Sequence, residues 1–291
     1  MTVSASPAPA ASMLGRVCLV TGASSGLGLA TATGLARLRA TVIMLCRNID
    51  RGNAARERVE RKTGNPNVSL VIADLASLEQ VRRATAEISH AHAALNVLVN
   101  NAGINARERR LTSDGFESTL AVNHLAAFLL TSLLAPLLRA GAPSRVITVA
   151  SRVERMGRMH FDDLQLEHGY GAVRAYAQSK LANILFTYEL AQRLTGTGVT
   201  GNCLHPGYAN TALMRETPAW MRALWQPFLP NAERGARSAL YLASDAGLEG
   251  VTGAYFERCK PARSSARSYD VAARRRLWDA SAALTGAPPV P

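Results

Sequence analysis

The stretch that decides the fold is Val17-Cys18-Leu19-Val20-Thr21-Gly22-Ala23-Ser24-Ser25-Gly26-Leu27-Gly28. A short apolar run, typical of a buried strand, stops at Thr21-Gly22, and an Ala- and Leu-rich helical pattern follows. Gly22 allows a tight turn, Gly26 lets backbone N–H groups approach a pyrophosphate, and Gly28 lets the helix pack closely on the sheet. Because the amino end of a helix carries partial positive charge, the stretch predicts a diphosphate ligand.

Strand-like and helix-like patterns alternate outward from this stretch, from Arg16 to about Tyr255. The alternation predicts an α/β fold, a single-domain Rossmann-type doubly wound parallel sheet of about seven strands with helices on both faces. The predicted strands are Val17–Thr21, Thr41–Cys46, Val68–Ile72, Leu95–Asn100, Arg145–Ala150, Thr200–Leu204 and Gly253–Phe256. The predicted helices are Leu27–Leu38, Asn53–Lys62, Leu78–His90, Gly115–Leu138, Gly171–Leu194 and Ala232–Ala243.

The ends of the chain are expected to lie outside this domain. We expect a disordered leader at 1–13, the domain at 14–285 and a flexible tail at 286–291. The leader lacks a charged region followed by an apolar one, so it is not a signal peptide, and a cytoplasmic location is expected. The most apolar stretch, Leu125–Leu138, contains Pro136 and is too short for a membrane span.

Composition narrows the classes of partner and site. The formal net charge of +12 suggests nucleic acid or an anionic membrane as possible partners. The basic residues are scattered along the chain, however, and aromatic residues make up only 5% of it. No nucleic-acid partner is therefore expected. The four cysteines lie far apart without metal-ligand or redox spacing, which predicts buried small hydrophobes and no metal site.

The tip of the second predicted strand selects the dinucleotide. Arg47 directly follows that strand, and an arginine there accommodates the 2′-phosphate of NADP, whereas a carboxylate would accept from the ribose hydroxyls of NAD. Asp50 lies three residues further on and supports the competing interpretation. NADP is the predicted cofactor.

Ser151, Tyr176 and Lys180 carry the predicted chemistry. Ser151 follows a predicted strand, at the carboxyl edge of the sheet where open α/β folds bind ligands. Tyr176 and Lys180 have the i, i+4 spacing that places both side chains on one helix face. A phenol with a pKa of about 10 is poorly suited to acid–base work near neutrality, and a cation one turn away stabilises the phenolate. In reduction, Tyr176 would protonate the carbonyl oxygen, Ser151 would hydrogen-bond it, and Lys180 would bond the nicotinamide ribose and tune Tyr176.

Further motifs fall in a recognisable order. Three of them lie at strand ends: Asn100-Asn101-Ala102-Gly103, Asp74-Leu75 and His205-Pro206-Gly207. With these motifs the chain resembles the short-chain dehydrogenase/reductase family over about Gly15–Phe256. The resemblance implies that Asn123 is a fourth catalytic residue, whose helix carbonyl holds a water linking Lys180 to solvent. The predicted cofactor-binding set is Thr21, Gly22, Ser24, Ser25, Gly26, Leu27, Gly28, Arg47, Asp74, Leu75, Asn101, Ala102, Gly103, Tyr176, Lys180, Pro206, Gly207 and Thr211.

Finer features resemble the retinol-dehydrogenase-like branch of that family. They are Ser179–Asn183, Leu204–Gly207 and the tail from Gly253 through Trp278. The resemblance implies an NADPH-dependent carbonyl reductase, reversible in principle, for a bulky hydrophobic ketone or aldehyde. The Ala/Arg/Pro-rich composition suggests a secondary metabolite such as an aromatic polyketide ketone. Three alternatives remain: a retinol/retinal-type dehydrogenase, an enzyme of epimerisation or dehydration, and a non-catalytic NADP-binding regulator. The membrane anchor of retinol-dehydrogenase-like members is not expected here.

Two segments are expected to close the substrate pocket, 152–175 and 208–231. The second is rich in Met, Trp and Leu, which predicts either a substrate lid or an amphipathic helix packed on the core or on another subunit. The same two alternatives, a substrate wall or packing on the core or another subunit, apply to Met156, Met159 and Phe161. His160 and His168 are predicted to be surface or loop histidines. The helix face around Tyr176–Leu190 is a candidate homodimer interface.

Overall fold

The sheet at the centre of the molecule has eight strands. The structure is a computed structural model, and it describes residues 12–207 and 232–290. The strands are β1 Val17–Thr21, β2 Thr41–Cys46, β3 Val68–Ile72, β4 Val97–Asn100, β5 Ser144–Val149, β6 Val199–His205, β7 Tyr255–Glu257 and β8 Lys260–Ala262. They are ordered β3-β2-β1-β4-β5-β6-β7-β8, and every neighbouring pair is parallel except β7–β8. The doubly wound parallel sheet is confirmed, and β8 adds an antiparallel edge.

Helices alternate with these strands. They are α1 Gly26–Arg37, α2 Ile49–Thr63, α3 Leu78–Ala91, α4 Ala126–Ala140, α5 Ala172–Arg193, α6 Ala232–Ser244 and α7 Val271–Thr285. A short α-turn, Ser118–Leu120, and a π-turn, Ala121–Leu125, lead into α4, and 3₁₀ turns lie at Arg152–Met156, Ala246–Leu248 and Ala266–Tyr269.

The core consists of two apolar layers, one on each face of the sheet. Alternate strand side chains point to opposite faces, so Val20 packs with α1 and α6, whereas Leu19 packs with α3, α4 and α5. Most strands are buried on both sides, which explains their apolar runs without polar alternation, whereas the edge strands β3 and β8 are partly exposed. Helices on both faces are therefore confirmed.

Several element boundaries differ from the prediction for local reasons. Strand β4 begins at Val97 rather than Leu95 because the Leu95 N–H bonds to the Leu137 carbonyl of α4 at 2.9 Å. Helix α2 begins at Ile49 rather than Asn53 because the Asn48 side chain caps it. Strands β5, β6 and β7 shift by one or two residues from the predicted Arg145–Ala150, Thr200–Leu204 and Gly253–Phe256.

The long helix predicted over Gly115–Leu138 is divided. The Glu117 carboxylate accepts hydrogen bonds from the backbone N–H groups of Thr119 and Leu120, so helical structure begins at Ser118. The π-turn follows, closed by the bond from the Ala126 N–H to the Ala121 carbonyl. By length and hydropathy, Ser118–Ala140 could cross a membrane, but 83% of its apolar window is buried inside the fold, as in the core helix of a globular protein.

The carboxyl-terminal segment contributes to the core of the molecule. Helix α7, capped by Asp270, packs against α5, and its Trp278 ring lies 4.9 Å from that of Phe128. Val290, in the segment predicted as a flexible tail, is buried in the same core layer. At the other end Met13, assigned to the leader, is also buried. Residues 1–11 of the predicted leader and the predicted lid at 208–231 lie outside the described residues.

Candidate active site

The glycine loop joins β1 to α1 at the carboxyl edge of the sheet. Gly22 has φ 67°, and a Cβ on Gly28 would lie 2.4 Å from the Gly22 carbonyl oxygen, so α1 rests directly on the loop. Ser25 precedes α1 without a side-chain cap, and the first turn has no acidic residue, whereas Asn48 and Ser77 cap α2 and α3. The first N–H groups of α1 are thus available to an anion. The loop fits the diphosphate of a dinucleotide.

Thr21 fastens this loop to the segment after β4. Its Oγ accepts from the N–H groups of Asn101 and Ala102 at 2.9 and 3.0 Å, and the Asn101 side chain donates to the Thr21 carbonyl at 2.7 Å. Because Thr21 is buried and its hydroxyl is engaged in these bonds, it positions the cleft instead of presenting its hydroxyl to a ligand. The predicted cofactor residues Leu27 and Leu75 are buried as well.

The predicted adenine end of the cleft lies at β2 and β3. Arg47 is exposed directly after β2, and Asp50 is exposed in the first turn of α2. Asp74 follows β3, where its carboxylate accepts from the Ala76 N–H at 3.0 Å. Ser24 contacts the buried Cys46 thiol at the end of β2. The structure thus brings Ser24, Arg47 and Asp74 to neighbouring strand ends.

The three predicted chemical groups converge beside the loop. The hydroxyls of Ser151, just beyond β5, and Tyr176, on α5, are hydrogen-bonded. Lys180 is buried, and its Nζ lies 3.0 Å from the Val149 carbonyl and 5.6 Å from the centroid of the Tyr176 ring. The structure thus brings together Ser151, predicted from a strand end, and Tyr176 and Lys180, predicted from their i, i+4 spacing.

The protonation of the pair differs from the prediction. We expected Lys180 to lower the pKa of Tyr176, but burial raises the pKa of Tyr176 to about 12, with the Ser151 hydrogen bond acting in the opposite direction. Burial also lowers the pKa of Lys180 to about 8. Desolvation of both charged forms outweighs the mutual stabilisation of ammonium and phenolate in this arrangement.

Asn123 lies in the π-turn and reaches the same site. Its Oδ1 accepts from the Ile104 N–H at 2.7 Å, and its Nδ2 donates to the Ile104 carbonyl at 2.9 Å and to Ser179 Oγ at 2.9 Å. A Cβ on Gly103 would lie 3.3 Å from Asn123 Oδ1 and 3.4 Å from Lys180 Nζ. The Asn123 side chain therefore holds the loop after β4 against α5. Sequence reasoning missed Ser179 as its partner, although Ser179 lies inside the Tyr-x-x-x-Lys motif.

The segment after β6 closes this side of the cleft. Burial lowers the pKa of His205 to about 4, so the imidazole is neutral near pH 7, and its Nδ1 accepts from the Arg152 N–H at 3.4 Å. Pro206 and Gly207 follow, half-buried, with Gly207 at φ 83°. Thr211, predicted to contact the cofactor, lies outside the described residues.

Several groups predicted near the substrate or a second subunit lie elsewhere. Met159 and Phe161 pack on Leu181, Leu185 and Leu277, so they belong to the outer layer between α5 and α7, and Met156 is exposed. The predicted subunit interface on α5 is covered over much of its length by α7 of the same chain. His160 contacts Arg174 and His168 pairs with Asp163, both outside the Ser151–Tyr176–Lys180 site.

Comparisons with known proteins agree with this geometry. Residues 16–222 match the family model described as short chain dehydrogenase. The chain is 42% identical to retinol dehydrogenase 11 of Mus musculus over 277 residues, which cover 94% of this chain and 87% of that protein. An uncharacterised protein from Mycobacterium paratuberculosis superimposes with a TM-score of 0.80 at 37% identity, covering 97% and 98% of the two chains. The RhlG/NADP active-site complex of Pseudomonas aeruginosa superimposes with a TM-score of 0.69 at 28% identity, covering 84% and 95%.

Proposed function

The chain belongs to the short-chain dehydrogenase family, an oxidoreductase family of alcohol and carbonyl groups, and from that premise we propose an NADP-dependent reductase of a bulky hydrophobic aldehyde or ketone of the retinal type. The same enzyme would oxidise the corresponding alcohol in reverse. One observation carries the proposal: Ser151, Tyr176 and Lys180 meet beside an uncapped helix start at the edge of the sheet.

Each residue has a role that its position allows. When bound, NADPH supplies the hydride that reaches the carbonyl carbon. Tyr176 donates its phenolic proton to the carbonyl oxygen, and Ser151, whose hydroxyl contacts the Tyr176 hydroxyl, hydrogen-bonds the same oxygen. Lys180 lies behind the phenol and supports proton return to it.

The two pKa values favour reduction near neutrality. With a pKa raised to about 12 by burial, Tyr176 keeps its proton at pH 7 and is ready to act as an acid. With a pKa lowered by burial to about 8, Lys180 exchanges its proton near physiological pH and can replace the one that Tyr176 loses.

The preference for NADP rests on Arg47 and on a structural neighbour. Arg47 is exposed at the end of β2, where a guanidinium can pair bidentately with a 2′-phosphate. The RhlG structure, which superimposes over most of the chain, is an NADP complex. Asp50, the competing carboxylate, lies in the first turn of α2.

The retinoid-type substrate is favoured over an aromatic polyketide ketone by the likeness to retinol dehydrogenase, which extends over 94% of the chain. That likeness reaches past the cofactor cleft into α7, the element furthest along the chain from the glycine loop. A long apolar aldehyde is accordingly the substrate class to test first.

The test is a spectrophotometric assay of NADPH and NADH oxidation with retinal, a medium-chain aldehyde and a polycyclic quinone-ketone. We expect oxidation of NADPH with retinal, and loss of that activity in the Tyr176→Phe variant. Turnover confined to the quinone-ketone would contradict the retinoid substrate but still support an NADPH-dependent carbonyl reductase. NADPH binding without turnover of any carbonyl would contradict the reductase and favour a cofactor-binding regulator.

A further inference from the structure

His124 is a buried side chain that the proposed reaction does not use. It follows Asn123 in the π-turn and is fully excluded from solvent. Its Nε2 lies 2.8 Å from the Oγ of Ser281 on α7. Burial lowers the pKa of His124 to about 4, so the ring is neutral at physiological pH.

The hydrogen bonds of Ser281 determine the tautomer of His124. The Ser281 hydroxyl donates to the Leu277 carbonyl at 2.7 Å, so its oxygen accepts from His124, and the imidazole proton resides on Nε2. Nδ1 is then an acceptor. The polar group beside the ring is the side chain of Asn183 on α5, and both His124 Nδ1 and Asn183 Oδ1 are buried without a hydrogen-bond partner among the described residues. Turning the Asn183 amide so that Nδ2 faces the ring would give each imidazole nitrogen a partner.

Two consecutive residues thus fasten the π-turn to α5. Asn123 donates to Ser179 Oγ at 2.9 Å, and His124 faces Asn183, which lies one helical turn further along α5. Asn123 lies on the side of the active site, where it also holds Ile104. His124 lies on the side of α7.

Ring packing fixes His124 in this place. Its ring centroid lies 6.1 Å from that of Phe186 on α5, in an edge-on contact, and 6.3 Å from that of Phe128 on α4. The Trp278 ring of α7 contacts both phenylalanines, at 5.9 and 4.9 Å. The imidazole therefore connects three helices, and Ser281 of α7 is its polar anchor, 2.8 Å from Nε2.

We propose that His124 is a positioning residue for Asn123, and that α7, through Ser281, holds the π-turn against α5 in the arrangement that the active site requires. The inference rests on the proposed function. A shift of the π-turn would move Ile104 and Gly103, and Gly103 borders Lys180 Nζ. The diphosphate loop at Gly22–Gly28 makes no hydrogen bond to His124 or Ser281. The tether therefore acts at the end of the cleft where Gly103 and Lys180 lie, on proton supply to Tyr176, and leaves the diphosphate loop in place.

The test compares Ser281→Ala with a matched control, Thr285→Val. Thr285 is buried one turn further along α7, and its hydroxyl donates to the Ser281 carbonyl at 2.6 Å. The Ser281 hydroxyl donates to the Leu277 carbonyl in the same way. Both variants lose a hydroxyl bond within α7, but only Ser281→Ala removes the partner of His124. Ser281→Thr keeps the hydroxyl and serves as the conservative rescue.

We expect Ser281→Ala to lower kcat with retinal about three- to tenfold, the effect of one lost hydrogen bond. The KM for NADPH should change less than kcat, because the diphosphate loop stays in place, and the pH–rate profile should shift. Hydrogen exchange at 121–125 should become faster in Ser281→Ala alone, and Ser281→Thr and Thr285→Val should behave as the parent chain. Equal changes in Ser281→Ala and Thr285→Val would overturn the proposal, because they would show a purely structural role for α7.

A readout without substrate separates this inference from the proposed function. In nitrogen-15 spectra of the full chain, assigned with the His124→Gln variant, we expect the neutral tautomer of His124 with the proton on Nε2. A proton on Nδ1, or a charged ring at neutral pH, would overturn the tether even in an active enzyme. Absence of turnover with every carbonyl would overturn the proposed function, while the spectra and the exchange rates would still decide the tether.

Discussion

The two halves of the molecule hold their site residues in different ways. In the half from β1 to α3, side chains cap helices within a few residues, as Asn48 does through the Arg51 N–H and Ser77 through the Gln80 N–H. In the half from β4 to α7, the bonds join residues far apart in sequence: Glu154 bonds Ser265 across 111 positions, and His124 meets Ser281 across 157. The helix starts of the cofactor half are capped by neighbours in sequence, whereas the chemical half depends on its carboxyl-terminal segment.

The largest expected effect separates chemistry from cofactor binding. Tyr176→Phe should lower kcat about a thousandfold, because the proton donor is lost, while NADPH affinity stays within about twofold. Tyr188→Phe is the matched control, since Tyr188 lies on the same helix and its hydroxyl bonds Ser264, away from Ser151. Steady-state kinetics and cofactor titration measure both quantities. Retained activity in Tyr176→Phe would contradict its role as proton donor.

The second prediction tests the local construction of the cofactor half. In Gly28→Ala the new Cβ would lie 2.4 Å from the Gly22 oxygen and 2.5 Å from Asn101 Nδ2, so α1 must move off the loop. We expect cofactor affinity to fall about a hundredfold by fluorescence titration. Gly171→Ala is the control, because its nearest neighbour, Arg174 Cβ, lies 3.9 Å away. Equal affinity in the two variants would argue against the close contact of α1 with the loop.

The third prediction concerns acid stability in the chemical half. Burial lowers the pKa of His124 to about 4, so between pH 6.5 and 4 the unfolded chain binds a proton there that the folded chain does not. Stability should therefore fall as the pH falls, by about 2 kcal/mol between pH 7.5 and 5 from this group. His124→Gln should remove that part of the slope in urea titrations. His205, whose pKa is also about 4, remains in both proteins. An unchanged slope would contradict a neutral buried His124.

The smallest expected effect concerns cofactor choice. Arg47→Asp should shift the ratio of kcat/KM for NADPH over NADH about tenfold toward NADH, because a carboxylate repels the 2′-phosphate. Arg58→Asp on α2 makes the same change of charge at another exposed position. If both variants shift the ratio equally, overall charge and not Arg47 determines the preference.

The difference between the halves also explains what could be predicted from the sequence. The glycine loop and the alternation of strands and helices follow from periodicity in the sequence. The Ser151–Tyr176–Lys180 set follows from a strand end and an i, i+4 spacing. Helix α7 and the π-turn were not assigned, because what fixes them is packing against Phe128 and Phe186. No pattern in the sequence indicates that Ser281 would meet His124.

Electrostatics was the least predictable part of the site. The spacing of Tyr176 and Lys180 suggested a lowered phenol pKa, but burial of both groups raises the pKa of Tyr176 and lowers that of Lys180. The degree of burial depends on how α5 is covered by the elements around it, and the i, i+4 pattern holds no information about that covering.

The tether between the π-turn and α7 has a consequence for synthesis. Since ribosomes deliver the chain from its amino end, the glycine loop and the first strands emerge long before Ser281 can reach His124. A loop spanning 157 positions is slow and entropically costly to close. The nascent protein should therefore form the glycine loop and the first strands early, and complete its proton-transfer machinery only after α7 has emerged.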